Sequence, residues 1–307
     1  MNIKAPRVCV LLAAYEGAKY IDKQLDSILC QNNVNIQLYI SVDLSGDNTL
    51  RIVKDFALKF KNKVFILPYG ERFGGAAPNF IRLLHDVDFS DVDYVSFADQ
   101  DDIWVSDKLI TACKCLDGSE YDAYSSNVLA FWSGGRTAMI EKSQPQVKYD
   151  YLFESSGPGC TYVFKVKLAT VFKEKIESDH NVSSQVWMHD WFFYSLARHL
   201  GFNWFIDKKP GLFYRQHEGN VVGANSGWRS LFTRAKVILS GDGFNKVLSQ
   251  SALIGQEELL PIQLIRQRNR ISFLRLAFIS RSCRRKGLDQ LYFFVICIIF
   301  AIRGYKV

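Results

Sequence analysis

The stretch Tyr94-Val95-Ser96-Phe97-Ala98-Asp99-Gln100-Asp101-Asp102-Ile103-Trp104 joins an apolar run to three closely spaced carboxylates. The apolar run predicts a buried strand. Two carboxylates about 4 Å apart repel by roughly 4 kcal/mol at an effective dielectric near 20, and a divalent cation would remove that repulsion. Mg²⁺ or Mn²⁺ takes one or two protein carboxylates and completes its shell with water and phosphate oxygens, which favours a nucleotide diphosphate site. The alternative is an acidic turn that caps the next helix.

Segments that favour strands alternate with segments that favour helices in the first hundred residues. Strands are expected at 8–14, 38–42, 64–67 and 94–98, and helices at 21–29, 48–60 and 80–84. This order predicts an α/β fold with a mainly parallel sheet, flanking helices, and ligands at the carboxyl ends of the strands.

The pattern is looser after about residue 120. We expect strand-like segments at 121–131 and 161–165, a polar loop between 133 and 148, a helix at 190–200, and short strands at 204–206 and 212–214. This part of the chain is expected to shape the acceptor side of the site.

Composition is that of a globular protein, with 307 residues, 48% of them hydrophobic, and a net charge of +7. The seven cysteines have no zinc-ligand spacing, which is typical of reduced, cytosolic proteins. The apolar start at 8–15 follows Lys4 and Arg7 as in a signal peptide, but no small-residue cleavage site comes after it. We therefore expect a buried first strand and a cytoplasmic protein.

Two common nucleotide-binding motifs are missing from the sequence. Neither Gly-x-Gly-x-x-Gly after the first strand nor Gly-x-x-x-x-Gly-Lys-Ser/Thr occurs, so a dinucleotide oxidoreductase and a P-loop phosphotransferase lose their main support. The second strand instead ends in 41–49, a segment rich in acids and hydroxyls. Asp43 is interpreted there as a hydrogen-bond acceptor for a base or ribose, whereas Asp47 is either functional or a helix cap.

Spaced motifs follow one another from about residue 8 to residue 223: Ala13–Gly17, Ser41–Thr49, Asn79-Phe80, Ala98–Trp104 with Lys108-Leu109, Gly159–Thr161, His189–Trp191 and Tyr214–His217. Together they resemble the family 2 glycosyltransferases, and within them the bacterial rhamnosyltransferase-like branch. The resemblance implies a GT-A fold with a Rossmann-like sheet over residues 1–225 and a C-terminal helical extension over 226–307. It also implies a nucleotide-sugar donor, Mg²⁺ or Mn²⁺, and inversion at the anomeric carbon.

The resemblance also implies roles for particular residues. Asp101 or Asp102 would hold the metal, with Asp102 favoured as the direct ligand and His217 as a further one. Donor contacts would come from Ala14, Tyr15, Asp43, Asn79, Asp99, Asp101 and Arg215. The chain departs from the common pattern by having Val42 before Asp43 and Glu16 in place of a frequent Asn, which weakens any inference about the base that is read.

Asp190 is the candidate catalytic base. Inverting transfer needs a group that takes the proton from the attacking hydroxyl, a contribution of about 10²- to 10⁴-fold. Asp190 begins a predicted helix before Trp191-Phe192-Phe193, so the alternative is an acid in the first turn that stabilises the helix start. The two roles are compatible.

The segment 266–286 carries eight cations and no acid, interleaved with aliphatic and Phe residues. It predicts an amphipathic helix. The apolar run 291–302 is shorter than the roughly 20 residues needed to span a bilayer. A cation near an anionic leaflet gains about 1 kcal/mol, which favours peripheral attachment to the inner face of the cytoplasmic membrane. Nucleic acid is disfavoured because no recognised motif accompanies the arginines; packing on the catalytic domain is the other alternative.

The function implied by the resemblance is transfer of L-rhamnose from dTDP-β-L-rhamnose to a lipid-linked glycan acceptor in bacterial surface polysaccharide (O-antigen or capsule) synthesis. Three alternatives remain open. They are transfer of another hexose from a UDP-sugar, a nucleotidyltransferase or pyrophosphatase activity, and a non-catalytic protein that binds lipid or nucleic acid through its arginine-rich segment.

Overall fold

The computed structural model describes residues 4–217 and 241–304, which form an α/β fold with two sheets and flanking helices. The strands are β1 Arg7–Ala14, β2 Asn35–Val42, β3 Val64–Ile66, β4 Tyr94–Ala98, β5 Ile103–Trp104, β6 Ala123–Ser126, β7 Val128–Trp132, β8 Thr137–Ile140, β9 Val163–Lys165, β10 Trp204–Asp207 and β11 Leu212–Gln216. The helices are α1 Ile21–Leu29, α2 Thr49–Lys59, α3 Ala76–Asp86, α4 Lys108–Leu116, α5 Val166–Ser178, α6 Asn181–Gln185, α7 His189–His199, α8 Asp242–Ile254, α9 Leu260–Gln267, α10 Arg270–Phe278, α11 Ser280–Cys283 and α12 Gly287–Arg303.

The large sheet has the strand order β10-β6-β9-β4-β1-β2-β3. All pairings in it are parallel except those of β9, which runs antiparallel to both β4 and β6. Leu12 of β1 lies beside Ile40 of β2 and beside Ala98 of β4. The carboxyl ends of these three strands therefore meet at one edge of the sheet, as the sequence predicted, and the polar motifs leave the sheet there.

After Arg7, strand β1 is apolar and buried, as expected for a strand with helices on both faces. Cys9 and Leu11 belong to the core on the side of α3, α5 and α7. Val10 and Leu12 point the opposite way, into the core formed with α1, α2 and α4. Because both faces of β1 are buried, the strand cannot shift along its axis, and the residues that follow Ala14 have a fixed position at the sheet edge.

The small sheet has the order β5-β11-β7-β8 and corrects one expectation. The polar segment 133–148 was expected to be a loop, yet it contains β8, which pairs antiparallel with β7 through Leu129 and Met139. Residues 137–140 alternate between exposed and half-buried, so this edge strand has no fully buried face. Only four residues long, it lies inside an otherwise polar segment.

The segment 121–131 is two strands rather than one. β6 belongs to the large sheet and β7 to the small one, and the chain changes sheet at Asn127. The Asn127 side chain accepts from the Lys142 amide at 2.6 Å and donates to the Lys208 carbonyl at 3.0 Å, which stabilises the crossing point.

The C-terminal region is helical, as predicted, but its helices are shorter than expected. In place of one amphipathic helix over 266–286 the chain forms α9, α10 and α11. The interruption lies at Arg268, where φ is +50°, and at Asn269, whose side chain accepts from the Ser272 amide at 2.8 Å in a capping box. The predicted domain boundary at 225/226 lies outside the described residues. Within residues 4–217 and 241–304, no helix is both long and apolar enough to cross a membrane.

Candidate active site

Gln100 joins the acidic turn to the end of β1. Its Oε1 accepts from the Tyr15 amide at 2.8 Å and its Nε2 donates to the Tyr15 carbonyl at 2.6 Å, as a neighbouring strand would. Gly17 is required beside it, because a Cβ there would lie 2.2 Å from Gln100 Oε1. This role of Gln100 was not predicted, although its position inside the acidic motif was a signal.

The first donor-site candidates lie at the end of β1. Ala14 is buried, and its carbonyl accepts from the Asp43 amide at 2.8 Å. Tyr15 is 45% exposed, so its ring is accessible above the sheet edge. Asn79, in the first turn of α3, is buried and donates to the Ser41 carbonyl at 3.2 Å. These residues are brought to the same sheet edge, as expected.

Asp43 is buried and already holds part of the backbone. Its carboxylate accepts from the amides of Leu44 at 2.7 Å, Phe73 at 2.9 Å and Gly74 at 3.0 Å. A carboxylate offers about four acceptor positions, so three are occupied. The structure thus gives Asp43 a role in positioning the loop before α3, and its expected contact with a base or ribose stays a prediction.

Asp101 and His217 meet at the mouth of the acidic turn. Asp101 Oδ2 lies 2.6 Å from His217 Nε2, and both side chains are partly exposed. Arg215 supports this turn, since its Nε donates to the Asp101 carbonyl at 2.8 Å and its guanidinium carbon lies 4.5 Å from the centre of the Tyr20 ring. His217 is distant in sequence from Asp101, and the small sheet brings the two together through β11.

Asp102 lies beneath this pair and is fully buried. Its Oδ1 accepts from the Arg215 amide at 3.2 Å, while its Oδ2 has no hydrogen-bond partner among the described residues. One ligand atom each from Asp99, Asp102 and Cys160 lies within 4.8 Å of the others. Burial and the Asp101 charge raise the pKa of Asp99 to about 7 and raise that of Asp102 well above its ordinary value.

The residues at this turn fit a hard divalent cation. Asp101 and His217 offer a carboxylate oxygen and an imidazole nitrogen at an accessible position, a set that suits Mn²⁺ and, through the carboxylate, Mg²⁺. Burial raises the pKa of the Cys160 thiol, and a thiolate is in any case a softer ligand than Mg²⁺ or Mn²⁺ prefers. Asp102 also stays a candidate for the direct ligand, as expected, because its Oδ2 is buried without a hydrogen-bond partner among the described residues and lies near a carboxylate oxygen of Asp99.

A buried lysine lies on the other side of the acidic turn. The Lys108 side chain is almost fully buried, with its Nζ 3.5 Å from the centre of the Trp104 ring and 3.4 Å from Ser96 Oγ. Burial lowers its pKa to about 7, opposed by the charges of Cys160 and Asp102. The sequence motif contained Lys108 but gave no sign that it would be buried.

Asp190 lies in the first turn of α7 and is 8% exposed. Burial raises its pKa to about 6, although the Trp191 amide, which donates to Asp190 Oδ1 at 2.7 Å, and the Lys142 charge both act in the opposite direction. The Asp190 charge also contributes to the raised pKa of Asp99. The structure therefore brings the candidate base and the acidic turn within electrostatic reach of each other.

His189, the first residue of α7, holds the start of the helix in place through its contacts with Phe80 and Gly159. Its ring stacks on Phe80 with the centroids 4.2 Å apart, and burial lowers its pKa to about 3, so it stays neutral. A Cβ at Gly159 would lie 2.3 Å from His189 Nε2. Only glycine fits at that position of the short turn before β9.

A GT-A fold with an acidic turn at the carboxyl edge of the sheet defines a class of nucleotide-sugar transferases. A family model described as Glycosyl transferase family 2 matches residues 9–163. The chain is 40% identical over 288 residues to the dTDP-rhamnosyl transferase RfbG of Shigella flexneri, covering 94% of this chain and 99% of that relative. It therefore belongs to glycosyltransferase family 2.

Further relatives agree with this assignment. The putative glycosyltransferase EpsE of Bacillus subtilis is 27% identical over 143 residues, covering 46% of this chain and 50% of EpsE. The crystal structure of S. aureus TarS 1–349 in complex with UDP-GlcNAc superposes with a TM-score of 0.57 at 16% identity, covering 96% of this chain and 81% of that one. The structural likeness supports the GT-A fold alone.

Proposed function

We propose that this glycosyltransferase transfers L-rhamnose from dTDP-β-L-rhamnose, with inversion at the anomeric carbon, to a hydroxyl of a lipid-linked glycan acceptor. The observation that carries the proposal is a buried carboxylate, Asp190, next to His189, whose ring centroid lies 5.8 Å from that of Phe97, two residues before the acidic turn. The identity of the sugar is supported by the 40% identity to a dTDP-rhamnosyl transferase over nearly the whole of both chains.

The acidic turn is proposed to hold the leaving diphosphate. Asp101, Asp102 and His217 would hold Mg²⁺ or Mn²⁺, with Asp102 or Asp101 as the direct carboxylate ligand, and the ion when bound would neutralise the negative charge that develops on the diphosphate. Asp99 and Arg215 would lie beside the ribose and diphosphate, and the exposed Tyr15 ring would cover the nucleoside. Further donor contacts are assigned to Ala14, Asp43 through its loop, and Asn79.

Asp190 is proposed to activate the acceptor. As the acceptor oxygen forms its bond to the anomeric carbon, the bond from that carbon to the donor phosphate breaks and its electron pair leaves with the diphosphate. The hydroxyl proton passes to an Asp190 carboxylate oxygen. A base with a pKa of about 6 is deprotonated at neutral pH and still basic enough to accept this proton in the transition state.

The acceptor and the location are part of the same proposal. We assign the enzyme to the cytoplasmic face of the inner membrane, where a lipid-linked acceptor is accessible, because the C-terminal region combines arginines with apolar residues. A UDP-sugar is the second candidate donor. Its support is that TarS, which is similar in fold, was crystallised in complex with UDP-GlcNAc.

Donor-dependent release of products tests the proposal. Purified enzyme, Mn²⁺ and an acceptor lipid extract are incubated with dTDP-rhamnose, UDP-glucose, UDP-GlcNAc or GDP-mannose, and nucleotides are separated by chromatography. Acceptor-dependent release of dTDP from dTDP-rhamnose, absent in Asp190→Asn, is expected. Release from a UDP-sugar only would overturn the rhamnose assignment, and release of a nucleoside monophosphate or pyrophosphate would overturn the glycosyltransfer mechanism.

A further inference from the structure

Two neighbouring C-terminal helices present apolar side chains to solvent. Ile271, Leu274 and Phe278 recur at helical spacing along α10, and the last of these is 79% exposed. On α12 a longer stripe of exposed residues recurs in the same way: Leu288, Leu291, Tyr292, Val295 and Ile302. We call these eight residues the outer C-terminal face.

The opposite sides of both helices are buried in the protein. Phe273 and Leu276 of α10, and Phe293, Cys297 and Phe300 of α12, belong to the main core. The Phe273 and Phe300 rings lie 5.4 Å apart between the two helices. Helix α12 is thus apolar on both sides, although a helix at a water-facing surface ordinarily has a polar outer side. Several large apolar side chains exposed on neighbouring helices are typical of an interaction site.

The surroundings of the outer C-terminal face are cationic. Asp289 is the only acid between residues 259 and 304, and it lies 3.6 Å from Arg284. The exposed cations in this region are Arg266, Arg268, Arg270, Arg275, Arg281, Lys286 and Arg303. Apolar side chains combined with basic ones on helices that lie flat on the protein are the features of a surface that binds anionic lipid.

The outer C-terminal face is fixed relative to the candidate base. The Tyr149 amide donates to the Ser282 carbonyl of α11 at 2.8 Å, and the next residues form the short turn Asp150–Leu152. The Trp191 indole, next to Asp190, donates to the Tyr151 carbonyl of that turn at 2.9 Å. A lipid surface bound to α10 and α12 would therefore have a fixed orientation relative to Asp190 and the acceptor side of the site.

We propose that the outer C-terminal face docks this enzyme on an anionic phospholipid surface, with the apolar side chains of α10 and α12 in the interface and the arginines on the lipid headgroups. The docking itself is independent of the transferase chemistry, and only its purpose, access to a lipid-linked acceptor, rests on the proposed function. The positive charge of the region favours lipid over a second copy of this chain, because two such faces would repel each other.

Vesicle flotation tests the docking. The full chain is mixed with vesicles of phosphatidylcholine alone or with phosphatidylglycerol added, and the fraction that floats is measured at low and high salt. Binding to the anionic vesicles at low salt, reduced by salt, is expected. Replacing Arg275, Arg281 and Lys286 by Gln should weaken binding about fivefold for each charge removed.

A double variant and a control variant test whether binding depends on the outer C-terminal face or on exposed apolar side chains in general. Leu291→Asp with Phe278→Asp should abolish flotation, whereas Leu58→Asp, on an exposed side chain of α2, should leave it unchanged. No flotation of the wild type with anionic vesicles, or equal flotation of both variants, would overturn the proposal. So would a concentration-dependent dimer in light scattering that the Phe278→Asp/Leu291→Asp variant abolishes. Failure of the proposed function would instead appear as missing dTDP release with flotation intact.

Discussion

Arg285 Nη1 lies 3.2 Å from Asp150 Oδ2, and neither side chain is exposed. The Tyr194 hydroxyl donates to the same Asp150 oxygen at 2.8 Å, and Arg285 Nη2 donates to the Ser155 carbonyl at 2.7 Å. A residue of the C-terminal region is therefore buried against α7, the helix that carries Asp190. Packing on the catalytic domain, one of the two alternatives for the arginine-rich segment, is therefore what Arg285 does, while Arg266, Arg275 and Arg281 stay exposed.

Asp150→Ala is expected to destabilise the protein by about 3–5 kcal/mol, because it leaves the Arg285 guanidinium buried without its closest carboxylate. The free energy of unfolding is measured by urea denaturation. Glu257→Ala is the matched control, because it breaks an exposed pair with Arg266 at 3.0 Å and should cost at most about 1 kcal/mol. Equal effects of the two substitutions would contradict the structural role assigned to Asp150.

Asp190→Asn is expected to lower kcat by about 10²- to 10⁴-fold while leaving the dissociation constant of the donor unchanged. The amide retains the size of the side chain but cannot accept the proton. Single-turnover transfer gives the rate, and calorimetry with dTDP-rhamnose and Mn²⁺ gives the binding constant. A variant that transfers at the wild-type rate would show that Asp190 is only a first-turn acid of α7.

The pH dependence of transfer should follow Asp190. Because burial raises its pKa to about 6, the carboxylate is protonated and inactive as a base below that pH and ionised above it. We expect kcat/KM for the acceptor to rise tenfold per unit below pH 6 and to level off above it. The dissociation constant of the donor is measured at each pH as well, because titration of Asp99 would change donor binding whereas titration of Asp190 would not. A rate that is constant between pH 5 and 8 would rule out Asp190 as the titrating group.

The parts of the site predicted from sequence are those that follow directly from strand ends. The acidic turn, Asp43 and Tyr15 each come immediately after an apolar run, so a parallel sheet brings them to one edge. The start of α7 was also predicted, because Asp190 precedes the aromatic run Trp191-Phe192-Phe193, and the helix begins at His189.

The contacts that were missed join residues far apart in the chain. Gln100 binds the backbone of Tyr15, 85 residues away, and Arg285 reaches Asp150 across 135 residues. Such pairs leave no periodic pattern in the sequence. Strand β8 was missed for a different reason, since it is only four residues long, has no fully buried face and lies inside a polar segment, so it gives no recognisable period.

Asp101→Asn should weaken Mn²⁺-dependent donor binding at least about tenfold without lowering the melting temperature, since Asp101 is partly exposed at the mouth of the turn. Asp102→Asn should leave stability unchanged, because its amide oxygen still accepts from the Arg215 amide, and should abolish Mn²⁺-dependent donor binding where Asp102 is the direct ligand. Calorimetry with and without Mn²⁺, together with thermal unfolding, distinguishes the two. If Asp102→Asn alone abolished the Mn²⁺ effect, Asp102 would be the direct ligand, as first expected.

Gly159→Ala should lower both stability and activity. The added Cβ would lie 2.3 Å from His189 Nε2, and the ring cannot move freely because it stacks on Phe80 at 4.2 Å. Overpacking of this kind costs about 1–3 kcal/mol, and a shift of His189 displaces Asp190, the next residue. Gly134→Ala is the matched control, since nothing lies within 4 Å of a Cβ at that position. Thermal unfolding and kcat are measured for both. Should Gly159→Ala behave like Gly134→Ala, the start of α7 would be more adaptable than its packing against Phe80 and Gly159 indicates.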